Sequence, residues 1–243
     1  MMNSLELSGI DAVVLAGGLG TRLRSVVADR QKAFATVGSE PFAARIFRQL
    51  RRAGVRRIVF ALGHLADSAA PVLDQWRCER GPQILSSVEP TPLGTGGALR
   101  HALPLLESTS VLVMNGDSFV DADLAALLAT HRAARAAITL GAVQVTDVSR
   151  YGALEFDRDG RYVSAFREKQ DAGGCGWINA GIYLLEHEVI AAIPAGRPVS
   201  LEREVFPAYT DGRIAVRCES RPFIDIGTPE TYAAGAKFFA HVA

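Results

Sequence analysis

The residues of this sequence best suited to chemistry begin at Leu15-Ala16-Gly17-Gly18-Leu19-Gly20-Thr21-Arg22-Leu23-Arg24, with Arg30 and Lys32 close behind. Glycines let the backbone turn tightly and bring its N–H groups up to phosphate oxygens. Arginine and lysine supply the positive lining that a polyphosphate needs. The chemistry implied is the handling of a phosphorylated nucleotide. The same residues would also make a tight turn with solvated arginines, because a lone glycine motif is weak. Spelling argues against two familiar loops. A P-loop ends in Gly-Lys-Ser/Thr, whereas this loop reads Gly20-Thr21-Arg22. A dinucleotide loop needs a third glycine, and Gly18-Leu19-Gly20-Thr21-Arg22-Leu23 lacks it.

Two more stretches carry potential. In Glu89-Pro90-Thr91-Pro92-Leu93-Gly94-Thr95-Gly96-Gly97-Ala98, small residues open a helix. Free N–H groups at a helix N-terminus suit a nucleotide. Glu89 could accept the adjacent N–H donors of guanine, or be a surface carboxylate beside a turn, and alone it does not fix the base. Asn115-Gly116-Asp117 follows a buried apolar run. Ligands of open α/β sheets bind beyond the carboxyl ends of their strands. An aspartate there can also be a helix cap or turn former, but Asp121 is the better cap for the next helix, which leaves Asp117 free. The histidines, including His64 and His101, match no triad or metal spacing.

These residues need elements to hold them. Ile10–Leu15 reads as a buried strand ending at the glycine loop. Pro41–Ala53 has helical spacing, with Phe42, Ile46, Phe47 and Leu50 on one face and Gly54 as its stop. Strands are expected at Arg57–Ala61, Gln83–Ser87 and Val111–Met114, and helices at Asp67–Cys78 and Gly97–Leu103. Such alternation implies a mainly parallel sheet with helices on both faces. The second half is richer in strands: Ala137–Val145, Ala153–Phe156, Tyr162–Arg167 and Ile178–Leu185. Asp159-Gly160 signals a hairpin. Helices are expected at Leu201–Tyr209 and from Pro229 onward, with Thr228 as cap. Gly173-Gly174 and Pro194-Ala195-Gly196 read as loops. With no linker or repeat, residues 1–243 read as one three-layer α/β/α domain of Rossmann-like class with a mixed, mainly parallel sheet. A nucleotide-binding half (about 10–135) is joined by a β-rich half (about 136–243) that completes the same sheet.

Composition agrees. Of 243 residues 49% are apolar, enough for a sizeable core. Lys+Arg and Asp+Glu are both 26, a balance that argues against broad nucleic-acid binding. Cys78, Cys175 and Cys218 are widely spaced and form no CxxC pair, so no zinc site or disulfide framework is indicated. No signal peptide and no apolar run of membrane-spanning length are seen. A cytoplasmic protein with no membrane partner is expected.

The stretch Leu15 to Arg24 followed by Lys32 resembles the signature of the sugar-1-phosphate nucleotidyltransferases, and ordered matches continue from about Ile10 to Tyr232. The family's Pro-Lys-Pro is replaced here by Gln31-Lys32-Ala33, which keeps the lysine and loses the rigid prolines. The resemblance implies that Leu15, Ala16, Gly17, Gly18, Gly20 and Thr21, with Arg22 and Lys32, wrap the triphosphate. It places Glu89, Gly94, Thr95 and Gly96 at the base and ribose. Tyr151-Gly152, Phe166-Arg167-Glu168-Lys169 and Asn179-Ala180-Gly181 resemble the sugar-side motifs, with Gly152, Glu168 and Asn179 at the sugar and Lys169 at its phosphate. Asp117 and Asp225, the latter in Ile224-Asp225-Ile226-Gly227-Thr228-Pro229-Glu230, match the family's Mg²⁺ ligands. Two hard oxygen donors completed by phosphates and waters suit that ion.

The implied reaction joins a nucleoside triphosphate to a sugar 1-phosphate with release of pyrophosphate. Arg22, Lys32, Asp117 and Lys169 would carry it, with no covalent intermediate and no essential histidine. The resemblance is closest to the heptose 1-phosphate guanylyltransferases, which supply surface and capsule glycans, and Ser200-Leu201-Glu202 contributes to it. GTP and heptose are therefore favoured. Mannose as the sugar, or a uridylyl or thymidylyl donor, stays open. So does a non-catalytic sugar-nucleotide sensor, and more remotely a dinucleotide-dependent oxidoreductase. A single activity is expected, without the appended hexapeptide-repeat domain of larger relatives. A homo-oligomer is left open.

Overall fold

The structure, a computed structural model, describes residues 7–167 and 174–242. The elements run β1 (Asp11–Ala16), β2 (Thr36–Val37), β3 (Glu40–Pro41), α1 (Ala43–Ala53), β4 (Arg57–Leu62), α2 (Ala70–Arg77), β5 (Gln83–Val88), α3 (Gly94–Ala102), β6 (Ser110–Asn115), β7 (Ser118–Val120) and α4 (Leu124–Ala134). Then come β8 (Ile138–Val145), β9 (Ala153–Phe156), β10 (Val163–Arg167), β11 (Gly176–Glu186), α5 (His187–Ala191), β12 (Ile214–Glu219), β13 (Phe223–Asp225) and α6 (Pro229–Val242).

Seven strands form the central sheet in the order β12-β8-β11-β6-β1-β4-β5. Pairs β6-β1, β1-β4, β4-β5 and β12-β8 are parallel, and β11 is antiparallel to both of its neighbours. The fold is the expected mixed, mainly parallel α/β sheet, and the second half of the chain completes it with β8, β11 and β12. Alternation along β1 explains the layering. Ala12 and Val14 pack to one side with α1, α2, α4 and α6, while Val13 packs to the other with α3 and α5. Successive strand residues point to opposite faces, so a strand covered on both sides reads as one apolar run.

β1 begins on a buried charge that is fully engaged. Asp11 Oδ2 accepts from the backbone N–H groups of Glu107 (2.6 Å) and Ser108 (3.0 Å), and Arg56 Nη2 stands 3.1 Å from Oδ1. A buried carboxylate is tolerated when it is paired and hydrogen-bonded. This one pins the amino end of the strand whose carboxyl end forms the site. α1 stops at Gly54 as expected, with φ +78 and its N–H on the Arg51 carbonyl.

Several elements depart from expectation. α1 begins at Ala43, because Pro41 pairs in the short β2-β3 hairpin. The segment 67–78 splits into a 3-10 turn, Ala66–Ala69, and α2. α3 starts at Gly94, three residues before the expected Gly97. Leu201–Tyr209 is no regular α-helix: a π turn over Leu201–Val205 is followed by a 3-10 turn over Phe206–Tyr209. Pro207 has no N–H to continue an α-helical ladder. The N-cap of α4 is Asp123, which accepts from Ala126 N at 3.0 Å, and not Asp121, which faces Arg52 at 3.7 Å. α6 carries the expected cap in reciprocal form, Thr231 N donating to Thr228 Oγ1 (3.4 Å) and Thr228 N to Thr231 Oγ1 (3.2 Å).

Candidate active site

At the carboxyl ends of β1 and β6, the glycine loop overhangs a cavity of about 410 Å³. Its wall includes Leu15, Ala16, Gly17, Gly18, Gly20, Thr21, Lys32, Glu89, Gly94, Thr95 and Asp117, all singled out from the sequence. Leu19, Ala33, Pro92, Ala98, Asn115 and Gly116 complete it; they sit within or beside the same motifs but had no individual role assigned from the sequence. Gly116 explains how the two strand ends stay so close. Its N–H donates to the Leu15 carbonyl at 2.8 Å, and a Cβ there would stand only 2.8 Å from that oxygen.

The loop itself rests on Glu89. Glu89 Oε2 accepts from Leu93 N at 3.0 Å, which closes the turn leading into α3. Oε1 sits under the loop, where a Cβ on Gly17 would come within 2.9 Å of it and one on Gly63 within 2.5 Å. Burial pushes the Glu89 carboxyl above the ordinary range, with the Leu93 N–H opposing. Glu89 thus both faces the cavity and holds its roof.

Gly96 does not line the cavity. Its N–H donates to the Val199 carbonyl at 2.8 Å, and a Cβ would press on Val199 at 3.1 Å. It is a close-packing glycine between α3 and the 198–201 segment. The Thr95 hydroxyl is also committed, donating to Glu202 Oε2 (2.9 Å) and accepting from Leu201 N (2.9 Å).

A smaller recess of about 20 Å³ opens beside the loop, with Arg24, Arg30, Gln31, Lys32 and His64 around it. His64 therefore stands nearer the loop than its lack of motif spacing suggested. Gln31, in place of the family's first proline, is buried, and its N–H donates to Ser68 Oγ at 3.1 Å.

At the inner end of the cavity Lys32 Nζ is ion-paired with Asp117 Oδ2. Their side chains are 17% and 38% exposed, so water and ligand still reach the carboxylate. Asp225 stands alongside because β7 and β13 form a small antiparallel ribbon with Asp225 opposite Ser118. Ile226 N donates to the Asp117 carbonyl at 2.8 Å. Asp225 Oδ1 accepts from Gly227 N at 2.9 Å, and Oδ2 accepts from the Tyr151 hydroxyl with Arg150 Nη2 at 3.6 Å. Burial, then the Asp225 carboxylate, raises the Tyr151 phenol well above its ordinary value, so it stays a donor. The ribbon was not legible beforehand, yet it brings the two aspartates together. Arg22 is exposed and reaches the same turn: a Cβ on Gly227 would lie 3.8 Å from its Nη2.

The sugar-side motifs lie next to this turn. Gly152 adopts φ +81, and its N–H is held by the Val148 carbonyl at 3.1 Å. Asn179 sits at a bulge in β11, where Oδ1 accepts from Gly181 N (2.8 Å) and Nδ2 donates to the Tyr183 hydroxyl (2.9 Å). Asn115 Nδ2 approaches the same hydroxyl at 3.4 Å. Glu168 and Lys169 lie outside the described residues.

A glycine-roofed cavity at the carboxyl ends of parallel strands, with carboxylates and cations at its inner end, defines a nucleotide-handling α/β protein. The chain matches the Nucleotidyl transferase family over residues 11–241 and belongs to it. It is 37% identical over 234 residues to the mannose-1-phosphate guanylyltransferase of Mycobacterium tuberculosis, covering 93% of this chain but 64% of that protein. It is 32% identical over 225 residues to the D-glycero-alpha-D-manno-heptose 1-phosphate guanylyltransferase of Campylobacter jejuni, covering 92% of this chain and 97% of that protein. Among solved structures, HddC from Yersinia pseudotuberculosis superposes with a TM-score of 0.83 at 33% identity, over 95% of this chain and 99% of that one. HddC has also been solved complexed with GMP-PN.

Proposed function

We propose that this chain is a sugar-1-phosphate guanylyltransferase, transferring GMP from GTP to D-glycero-alpha-D-manno-heptose 1-phosphate with release of pyrophosphate. The observation that carries the reading is the continuity of the site: the glycine-roofed cavity runs into the Lys32–Asp117 pair, with Asp225 beside it. The heptose reading is supported by two relatives named for it, 32% and 30% identical over 92% and 96% of this chain, and by the motifs Tyr151-Gly152, Ser200-Leu201-Glu202 and Asp225-Ile226-Gly227-Thr228-Pro229-Glu230 that carry the resemblance. Mannose is the second reading, supported by the higher identity of the Mycobacterium relative, of which this chain spans only 64%.

The attacking oxygen belongs to a phosphate that is already an anion, so no general base is required. That oxygen bonds to the α-phosphorus of GTP as the bond to the β-phosphate breaks, and the electron pair leaves with pyrophosphate. The obstacle is aligning two polyanions, so positioning and charge compensation dominate. Loop N–H groups, Lys32 and Arg22 hold the triphosphate, and Lys169 holds the sugar phosphate. Glu89 accepts from guanine, Gly94 and Thr95 border the nucleoside, and Gly152, Glu168 and Asn179 border the sugar.

Among the described residues no group of three or more His, Cys, Asp or Glu forms a metal cage. Asp117 and Asp225 are the donors on offer, both oxygen, and they fit Mg²⁺, which keeps waters and substrate phosphates as further ligands. Bound there, Mg²⁺ would neutralise phosphate charge and orient the α-phosphate. We take the chain as a single domain acting in the cytoplasm, with its product feeding surface-polysaccharide synthesis. Among the described residues no helix is long and apolar enough to cross a membrane.

The test is pyrophosphate release with Mg²⁺, crossing GTP, UTP, dTTP, ATP and CTP with heptose, mannose and glucose 1-phosphates. GTP with the heptose is expected to turn over fastest. Turnover with a different pair moves the substrate. Tight binding of a nucleotide sugar with no turnover for any pair overturns the enzyme reading in favour of a sensor.

A further inference from the structure

Glu202 has a setting that the reaction described so far does not use. The backbone around it is a π turn opened by Ser200, whose hydroxyl accepts from Arg203 N at 3.2 Å. Single π turns concentrate at functional sites. Glu202 Oε2 receives two hydroxyl donors, Thr95 Oγ1 and Ser200 Oγ, each at 2.9 Å. One of those donors, Thr95, lines the nucleotide cavity. The other carboxylate oxygen, Oε1, makes no hydrogen bond within the described chain, and the residue is part-exposed. A carboxylate with one oxygen locked by two donors is oriented, and its free oxygen is an acceptor aimed in a fixed direction.

The segment that carries it is anchored on the β-rich half. Phe206, at the end of the π turn, stacks on Phe166 of β10 with ring centroids 6.0 Å apart, and packs on Tyr183 of β11 at 5.1 Å. The Tyr183 hydroxyl is in turn held by Asn179 and Asn115. The segment carrying Glu202 therefore joins the nucleotide wall, through Thr95, to the β-rich half, through Phe206 packed on Tyr183.

We propose that Glu202 Oε1 accepts a hydroxyl of the sugar ring and is a specificity-determining residue for the sugar 1-phosphate. This rests on the guanylyltransferase reading. The sugar is favoured over the nucleotide ribose because the segment is anchored on β10 and β11. Losing a hydrogen bond to a charged acceptor, with a buried partner left mismatched, discriminates strongly between ligands that carry the hydroxyl and ligands that lack it.

The test uses Glu202→Gln in the full chain. The amide oxygen still accepts from Thr95 and Ser200, while the NH₂ group replaces Oε1. KM and kcat are measured for both substrates with the best pair found for the wild type, alongside a thermal midpoint. The expected result is KM for the sugar 1-phosphate raised about tenfold or more, KM for the nucleotide within twofold, and an unchanged midpoint. A series of singly deoxygenated sugar 1-phosphates should contain one that costs the wild type a similar factor and the variant almost nothing further. An unchanged sugar KM overturns the proposal. A rise confined to nucleotide KM moves Glu202 to the ribose and also overturns it. Equal losses on both substrates with a lowered midpoint reduce it to a latch for α3, and Glu202→Asp, which keeps the charge on a shorter arm, must then show the same loss. If the wild type turns over no pair, it is the guanylyltransferase reading that has failed, whatever the variant does.

Discussion

Lys32 and Asp117, separated by 85 positions in sequence, are joined by an ion pair at the inner end of the nucleotide cavity. The pair holds a cation and a carboxylate in one place before substrate arrives. On the proposed reading, triphosphate oxygens would compete for the lysine and a divalent cation for the aspartate. Binding both ligands would then be an exchange of partners, with neither charge left uncompensated in either state.

Replacing Lys32 by Met should lower turnover roughly 10²–10³-fold, the scale of losing one preorganised donor. The far-ultraviolet circular dichroism and urea midpoint should change little, because the pair is partly solvated. Steady-state pyrophosphate release reads the effect. Near-normal kcat in the variant removes Lys32 from the reaction.

Tyr151 holds Asp225 through its hydroxyl. On the proposed metal assignment it would be the partner of a ligand, and loss of such a partner commonly weakens metal affinity by about 10–100-fold. Tyr151→Phe should raise the Mg²⁺ concentration for half-maximal rate by a factor in that range and spare kcat at saturating Mg²⁺. Asp117→Ala should abolish the rate and leave the fold intact. An unchanged Mg²⁺ requirement in both variants would show that the metal assignment is wrong.

Gly181 has φ +74 at the β11 bulge, and a Cβ there would approach Ser118 Oγ to 2.5 Å and Asn115 Nδ2 to 2.9 Å. Gly181→Ala combines backbone strain with a clash at the foot of the β7-β13 ribbon. It should cost at least about 2 kcal/mol of stability by urea unfolding. A variant within 0.5 kcal/mol of wild type, roughly the scatter of neutral surface changes, would mean that the bulge relaxes freely.

Glu219 is buried at the end of β12, and burial raises its carboxyl above the ordinary value of 4.5, with Arg217 opposing. A carboxyl whose folded value is raised binds more protons folded than unfolded. Its contribution is therefore most favourable below the unfolded value and is lost as pH rises through the folded one. Glu219→Gln should gain stability relative to wild type as pH goes from below 4.5 to neutral. Urea midpoints for the two proteins across that range decide it, and a pH-independent difference refutes the linkage.

Much of this was legible in the sequence because the signals were local. β1, β4 and β6 are uninterrupted apolar runs covered on both faces, and the glycine loop follows β1 directly. Gly54 and Thr228 mark helix ends by chemistry that needs only neighbouring residues. What escaped was set by distant partners. Three-residue strands such as β7 and β13 have too few side chains for alternation to show, and only their pairing makes them strands. Asp123, not Asp121, caps α4 because the chain still forms a turn at Ala122, whose N–H reaches the Val120 carbonyl. Gly96 looked like a ligand-facing glycine, but it serves Val199, a contact formed across about a hundred residues. The Leu201–Tyr209 stretch has helical composition, and Pro207 together with the Thr95 and Ser200 bonds to Glu202 bends it into tighter and wider turns.

The β7-β13 ribbon also has a kinetic meaning. Asp117 is in place once the parallel strands around β1 have assembled, but its companion arrives only when the last strand docks. Contacts between segments so far apart in the chain form late, because loop closure must come first. The binding roof can thus exist on a partly folded chain, whereas the pair of aspartates cannot. Onset of turnover during refolding would therefore time the final docking event, separately from the earlier acquisition of nucleotide binding.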